Sequence, residues 1–267
     1  TARRARKSAA GYDLTRLFIG SEGTLGIITE VTVRLYGQPE AISAAVLDFP
    51  TLEGAVNTVI ATIQSGIPMA RIEFVDQAAA TAFNAQSQAG WPDAPHLMIE
   101  FHGSTEGVRE QAARFGEIAT DFGGTGFRWA SQSEERSALW AMRHNAYRAV
   151  LAAYPGSAPV TTDICVPISR LAQAVEETAA EIAASGIPGP IVGHVGDGNF
   201  HALLLPRAGD PAQWETAQKL AANMAERALR LGGTVSGEHG VGLGKTKYMQ
   251  AEHGEGWQVM GAIKAAL

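Results

Sequence analysis

The alternation of apolar and polar residues predicts a series of short strands and amphipathic helices. A period of two in β-branched residues predicts strands, and a helical apolar period that ends at glycine predicts helices. Thr51 is the expected N-cap of the first such helix and Gly66 its C-terminal stop. A strand is predicted at 27–35, followed by strand 42–49, helix 52–65, strand 71–75, a short alanine-rich helix, strand 97–102, helix 105–122 and strand 126–130. Without the alanine-rich helix, the order from residue 42 is β-α-β-β-α-β.

The second half of the chain repeats this order after a long helix. That helix is predicted over 132–153, with the capping-box spacing of Ser131 and Glu134 at its start. The elements that follow are strand 160–166, helix 168–185, strands 190–196 and 199–205, helix 211–231 and strand 234–237. Because such a unit forms an antiparallel sheet of order 4-1-3-2 with helices on one face, the sequence predicts an α+β fold of two ferredoxin-like halves. They span residues 40–267, and residues 1–39 are expected to end a preceding domain.

Composition and charge narrow the class of protein. With 267 residues and 46% hydrophobic content, the chain can bury a large core, and it lacks an apolar run long enough for a transmembrane helix. The net charge of −6 argues against a nucleic-acid surface, which needs clustered bases. A lone cysteine, Cys165, favours a reducing compartment. The first residue is not Met and the last residues have a helical pattern, so we expect a chain cut from a longer protein.

Two histidines flank a predicted tight turn. Asp197-Gly198 is a dipeptide favoured in two-residue hairpin turns, and with it as the turn His194 lies opposite His201. Their Cβ atoms are then about 4.5–5.5 Å apart, so both imidazoles can reach one metal ion. A polar cross-strand pair without a metal is the alternative.

The 4-1-3-2 order brings other polar residues to the same end of the sheet. Glu238 and His239 follow the last predicted strand, and Thr161 to Asp163 begin the first strand of the second half. Two histidines and one carboxylate suit Zn(II), Fe(II) or Mn(II), and His239 then remains as a general base. For Glu238, a solvated loop carboxylate is the alternative.

Two further segments carry candidate chemistry. The glycine loop at 20–26 can line a phosphate or an isoalloxazine ring, or can be a simple turn. On helix 132–153, Trp140, Arg143 and Tyr147 share one face, and the guanidinium can hold a carboxylate. An arginine that extends past buried aromatic rings to solvent is the alternative.

The motifs together resemble a known family. Segments 12–29, 143–146, 163–169, 194–201 and 237–245 are similar to the C-terminal part of FAD-linked D-2-hydroxy-acid dehydrogenases of the vanillyl-alcohol-oxidase type. Within that family the cytochrome-linked D-lactate dehydrogenases are the most similar group. The resemblance covers essentially the whole chain.

The resemblance implies a set of functional residues. Residues 1–39 would be the remnant of the FAD-binding domain and 40–267 the substrate or cap domain. His194, His201 and Glu238 would hold the metal, His239 would be the catalytic base and Arg143 would hold the substrate carboxylate. The expected flavin contacts are Gly20, Ser21, Gly23, Thr24, Gly26 and Ile28, and the expected substrate contacts are Arg143, Tyr147 and Asn199.

The implied reaction is oxidation of a D-2-hydroxy acid such as D-lactate to pyruvate, with hydride transfer to FAD. Thr161 stands where the D-2-hydroxyglutarate enzymes carry a lysine, which favours a monocarboxylate. Glycolate or D-2-hydroxyglutarate oxidation, and a flavin-free metal-binding module, are the alternatives. A cytochrome, an electron-transfer flavoprotein or a quinone is the expected electron acceptor. We further expect a homodimer and a cytoplasmic location, peripheral to the inner membrane, and no activity from this chain alone.

Overall fold

A computed structural model describes residue 5, residues 7–87 and residues 89–267. The chain divides into two compact units. The sheet unit is Gln38–Gly237, and the terminal unit combines the residues up to Gly37 with Glu238–Leu267. Among the described residues, no helix combines the length and the apolar character that a membrane span requires.

The first half of the sheet unit follows the predicted order of elements. Thr51 caps its first helix by accepting a hydrogen bond from the Gly54 N–H at 3.1 Å, and Gly66 beyond the helix end has a φ of +68°. These local signals therefore gave correct helix limits. The elements are β1 (Ala41–Asp48), α2 (Leu52–Gln64), β2 (Met69–Val75), α3 (Gln77–Ser87), β3 (His96–Gly103), α4 (Thr105–Asp121) and β4 (Thr125–Ala130), after α1 (Leu14–Phe18) of the terminal unit.

The second half repeats this order with shorter strands. Asp210 caps its last helix, and Gly186 ends the preceding one with a φ of +72°. Its elements are α5 (Ser133–His144), α6 (Ala146–Ala153), β5 (Val160–Thr161), β6 (Ile164–Cys165), α7 (Leu171–Ser185), β7 (Ile191–Gly193), β8 (Asn199–Leu204) and α8 (Pro211–Arg230).

One continuous sheet joins the two halves. The strand order is β4-β1-β3-β2-β7-β8-β5, with β6 also paired to β8, and the described pairings are antiparallel. The first half has the expected 4-1-3-2 order, and the second half continues from β2 through the antiparallel pair β2–β7. The predicted α+β fold is confirmed.

Helices cover both faces of this sheet, so the expectation of helices on one face was wrong. One core lies under α2, α4, α7 and α8, and its fully buried members include Phe74, Phe101 and Phe200. The second core lies under α3, α5 and α6 and includes Phe83 and Trp140. The alanine-rich helix and the helical region after residue 132 therefore shield apolar positions of the second face from water.

Several predicted elements differ in the structure. Residues 27–35 form no strand, and their apolar side chains are exposed, because no described strand pairs with them. In place of the predicted strand 234–237, the described residues show a bridge between Thr234 and Cys165. The predicted strand 160–166 is interrupted at 162–163. The predicted capping box is shifted by one residue, since the Glu135 carboxylate accepts from the N–H of Gln132 at 3.2 Å.

The predicted long helix is broken at Asn145. The Asn145 side-chain amide donates to the Ala141 carbonyl at 2.9 Å, and the residue ends α5 and begins α6. An asparagine side chain that bonds to the backbone competes with the helical ladder, which accounts for the break.

The terminal unit contains α1, α9 (Met249–His253) and α10 (Gly256–Ala266). Within it, the Glu22 carboxylate accepts hydrogen bonds from the backbone N–H groups of Val241 and Gly242, at 2.6 and 2.9 Å. These bonds hold the pKa of Glu22 below its ordinary value. Glu22 thus links the N-terminal glycine loop to the C-terminal glycine-rich segment.

Candidate active site

The hairpin that carries the two histidines has a different register from the predicted one. Val192, and not His194, pairs with His201, and a 3₁₀ turn over Val195–Asp197 lengthens the connection. Val195 is fully buried in the first core, which a two-residue turn at Asp197-Gly198 did not anticipate. Because the shift is two residues, His194 would still project from the same sheet face as His201.

The two imidazoles are therefore neighbours after all. Their ring centroids lie 5.7 Å apart with the rings nearly perpendicular, and their nearest ligand nitrogens lie within 4.8 Å of each other. His201 is buried, whereas the His194 side chain is 37% exposed. The pair thus has one side inside the protein and one side that reaches solvent.

Each imidazole is oriented by a hydrogen bond at Nδ1. His194 Nδ1 donates to Glu73 Oε1 at 2.7 Å, and His201 Nδ1 donates to the Thr162 carbonyl at 3.1 Å. A neutral imidazole with its proton on Nδ1 carries its lone pair on Nε2. Metal-binding histidines commonly donate their other N–H to a carboxylate or carbonyl in this way, so the pair fits a divalent metal.

Glu73 also holds Arg143. Its Oε2 accepts from Arg143 Nε at 2.9 Å, and both side chains are largely buried. Arg143 Nη2 is buried and has no hydrogen-bond partner among the described residues. A buried guanidinium nitrogen without an acceptor is costly, and a carboxylate ligand would satisfy it.

Glu73 was not among the predicted site residues. The available signal was a charged residue in the middle of the predicted strand 71–75, between Ile72 and Phe74. Charged side chains are seldom buried unless they are paired, so a carboxylate at this position indicates a buried cation or histidine nearby. Its partners come from distant segments, and the sequence alone does not identify them.

Asn199 presents an acceptor to the same region of the sheet unit. Its amide nitrogen donates to Asp163 Oδ1 at 2.7 Å and to the Ile164 carbonyl at 2.8 Å. Its Oδ1 is buried and has no partner within the described part of the chain. Asp163 is itself fixed by Ser236, whose hydroxyl donates to Oδ2 at 2.8 Å, and its Oδ1 lies 3.6 Å from His201 Nδ1. The Asn199 oxygen is therefore oriented to accept a donor such as a hydroxyl.

The backbone of Gly237 passes close to the side chains of Asn199 and Asp163. A Cβ at Gly237 would lie 2.1 Å from Asn199 Nδ2 and 3.2 Å from Asp163 Oδ1. Only glycine allows the backbone to pass here, which gives a physical reason for the glycine before Glu238 in the motif.

Tyr147 lies on α6, beyond the break at Asn145, and its residue is 47% exposed. The spacing argument that placed it beside Trp140 and Arg143 on one straight helix therefore does not apply. Trp140 is buried and donates to Glu100 Oε2 at 2.6 Å.

The remaining candidates belong to the terminal unit. Glu238 follows Gly237 directly in the chain, and His239 Nε2 lies 3.7 Å from Glu238 Oε1. Both side chains are about half exposed. Their roles stay predictions.

The glycine loop forms a tight turn. The Thr24 N–H and hydroxyl both bond to the Ser21 carbonyl, at 2.9 and 2.6 Å, while Gly20 and Gly23 have φ near +80°. A Cβ at either glycine would meet no atom within 4 Å. The loop therefore offers an open strip of backbone and hydroxyl groups. Ile28, the remaining expected flavin contact, is 57% exposed. The assignment of these residues as flavin contacts stays a prediction.

Known proteins are similar to this chain in sequence and in fold. The family described as FAD linked oxidases, C-terminal domain, matches residues 38–267. The probable mitochondrial D-lactate dehydrogenase of Danio rerio is 47% identical over 266 residues, covering 99% of this chain and 54% of the relative. The mitochondrial D-lactate dehydrogenase [cytochrome] of Arabidopsis thaliana is 43% identical over 268 residues, covering 100% of this chain and 47% of the relative.

A glycolate oxidase subunit GlcD from Bacillus subtilis (strain 168) is 34% identical over 269 residues, covering 100% of this chain and 57% of the relative. Among solved structures, alkyldihydroxyacetonephosphate synthase is similar with a TM-score of 0.67 at 18% identity, over 97% of this chain and 49% of that protein. At that identity the likeness concerns the fold alone. The chain spans about half the length of the curated relatives it matches.

Proposed function

The chain belongs to the family of FAD linked oxidases, C-terminal domain. We propose that it forms the substrate-binding part of a flavin-dependent dehydrogenase that oxidises D-lactate to pyruvate. The observation that carries the proposal is the cluster of His194, His201 and Arg143. It combines two oriented imidazoles with a buried guanidinium nitrogen that has no partner among the described residues.

We assign His194, His201 and Glu238 as ligands of a divalent metal, of which zinc, manganese and iron are the candidates. The Nδ1 bonds of the two histidines support this assignment, and Glu238 supplies the carboxylate of a two-histidine, one-carboxylate set. Such an ion would supply Lewis-acid polarisation of the substrate hydroxyl.

Different residues of the chain are proposed to bind the substrate and to accept its proton. Arg143 Nη2 binds the carboxylate and fixes the orientation of the α-carbon. Asn199 is proposed to contact the substrate beside its hydroxyl group. An imidazole nitrogen of His239 takes the single proton of that hydroxyl as the carbonyl forms. When bound, FAD would supply the acceptor for the α-hydrogen, which leaves as hydride. The proposed contacts of FAD in this chain are Gly20, Ser21, Gly23, Thr24, Gly26 and Ile28. Tyr147 is proposed to border the substrate.

Glycolate is the second candidate substrate, supported by the similarity to a glycolate oxidase subunit. Thr161 supports a monocarboxylate over D-2-hydroxyglutarate, because its side chain offers no positive charge to a second carboxylate. A cytochrome is the proposed electron acceptor, by similarity to the Arabidopsis relative. An electron-transfer flavoprotein or quinone, a homodimer and a cytoplasmic location at the inner membrane stay predictions. The names of the Danio rerio and Arabidopsis thaliana relatives include the word mitochondrial.

The test uses the complete gene product supplied with FAD. Anaerobic flavin reduction is followed by absorbance with D-lactate, L-lactate, glycolate and D-2-hydroxyglutarate. We expect D-lactate to reduce the flavin fastest, and Arg143→Met to raise the KM for D-lactate by about 100-fold through loss of a charged hydrogen bond. Arg148→Met, at an exposed arginine on α6, is the matched control and should leave the KM unchanged. Faster reduction by glycolate would favour the second candidate, and no reduction by any of the four acids would refute both.

A further inference from the structure

The Glu73 carboxylate lies between two groups that the proposed function uses for different purposes. One oxygen accepts from His194 Nδ1 at 2.7 Å and the other from Arg143 Nε at 2.9 Å. Resting on the proposed function, we propose that Glu73 is a positioning residue that fixes a metal ligand and the substrate-carboxylate anchor in one rigid arrangement.

Strand pairing places Glu73 beside His194. β2 and β7 pair antiparallel, with Phe74 opposite Gly193 and Val75 opposite Val192. One residue further along the two strands, Glu73 lies next to His194, at the junction between the two halves of the sheet. The link therefore depends on the pairing of the first half with the second.

Helix α5 brings Arg143 to the same carboxylate. One turn earlier on this helix, Trp140 donates to Glu100 Oε2 at 2.6 Å, so α5 is held by carboxylates on β2 and β3. Glu100 provides a control, since it is a buried carboxylate of the same sheet, bonded to an α5 side chain and to His102, but not hydrogen-bonded to His194.

Only a carboxylate satisfies both partners of Glu73. The Nδ1–H of His194 and the Nε–H of Arg143 are both donors, so each needs an acceptor oxygen. A glutamine of the same size has one acceptor oxygen, and its amide N–H groups would face the second donor. Glu73→Gln therefore keeps the volume of the side chain but removes one of the two links.

A purely structural ion pair would behave differently. Loss of such a pair lowers the free energy of unfolding, but it leaves the metal affinity of the folded protein unchanged. Positioning predicts that the folded Glu73→Gln protein binds metal more weakly, because loss of a partner that orients a ligand typically costs 10–100-fold in metal affinity.

The first measurement is the zinc Kd of the 267-residue chain, by competition with a chromophoric chelator, after circular dichroism has shown that each variant is folded. We expect Glu73→Gln to raise the Kd by 10–100-fold and Glu100→Gln to change it less than 2-fold. Glu73→Asp retains the charge and should regain part of the affinity, and it replaces Glu73→Gln in the test if the latter does not fold.

The second measurement is the KM for D-lactate in the complete gene product with FAD. Glu73→Gln should raise the KM at least 10-fold when zinc is saturating, because Arg143 loses its fixed orientation, and Glu100→Gln should not. A wild-type zinc Kd in Glu73→Gln, or a change in only one of the two constants, overturns the proposal. If the wild-type chain binds no zinc, the proposed metal site fails as well, which separates that failure from a failure of Glu73 alone.

Discussion

Gly237→Ala is predicted to disrupt the arrangement that orients Asn199. The added methyl group would lie 2.1 Å from Asn199 Nδ2, whereas ordinary contacts begin at 3.4 Å. The amide must therefore move by more than 1 Å, roughly the difference between those two distances, within a buried site. That displacement is incompatible with its bonds of 2.7 Å to Asp163 and 2.8 Å to the Ile164 carbonyl.

The two Asn199 hydrogen bonds determine how far the free energy of unfolding should fall in Gly237→Ala. A hydrogen bond to a charged acceptor contributes about 1.5–3 kcal/mol and one to a neutral carbonyl about 0.5–1.5 kcal/mol, so the expected loss in the free energy of unfolding is about 2–4 kcal/mol. For a unit of this size each kcal/mol corresponds to about 2–4 °C in Tm, so we expect Tm to fall by about 5–15 °C.

Thermal unfolding of the chain, followed by circular dichroism, measures this difference. Gly116→Ala on α4 is the matched control, because a Cβ there meets no atom within 4 Å and alanine favours the helix by about 1 kcal/mol. The control should unfold slightly above the wild-type temperature. A Gly237→Ala protein with the wild-type Tm would refute the account of this close approach.

Three further predictions concern single histidines. His194→Ala and His201→Ala should each abolish tight metal binding in a metal analysis of the purified chain. His144→Ala, at an exposed histidine, is the control. An unchanged number of metal ions per chain in both His194→Ala and His201→Ala would contradict the ligand assignment. His239→Asn in the complete gene product should slow flavin reduction by D-lactate by about 100-fold or more and leave the metal content intact, and an unaltered rate would contradict its role as base. Burial lowers the pKa of His96 from 6.5 to about 4, so between these values only the unfolded state takes up the proton. The free energy of unfolding should therefore fall, by at most about 3 kcal/mol, as the pH decreases from 6.5 to 4. Chemical denaturation at several pH values checks this, and His96→Leu should reduce the slope; equal slopes in both proteins would exclude the histidine as its source.

Local signals explain why much of the fold was predictable. Thr51 and Gly66 define the limits of α2 through contacts within a few residues, and such information is present in the sequence. The 4-1-3-2 order of the first half followed from the order of its elements. The pairing of β2 with β7 was not predictable in this way, because each half shows its own repeat and no local pattern specifies which edges meet.

The errors arose where distant residues decide the local structure. The dipeptide Asp197-Gly198 favours a two-residue turn, but burial of Val195 in the first core produces a longer connection. Residues 27–35 have a strand pattern, yet a strand needs a partner, and no described strand provides one.

In the candidate site, too, some residues were predictable from the sequence and others were not. The two histidines and Arg143 were identified by residue type and spacing. Glu73 was not, because its contacts depend on the packing of β2 against β7 and α5. The tautomers of the histidines likewise depend on Glu73 and on the Thr162 carbonyl, which tertiary structure brings to them.

Metal-assisted oxidation of D-lactate is tested by the rate at which D-lactate reduces FAD in the complete gene product before and after removal of bound metal. We expect a chelator to abolish most of the reduction and added zinc, manganese or iron to restore it. In His201→Ala, added metal should not restore the rate. Reduction at an undiminished rate by fully metal-free protein would contradict the account.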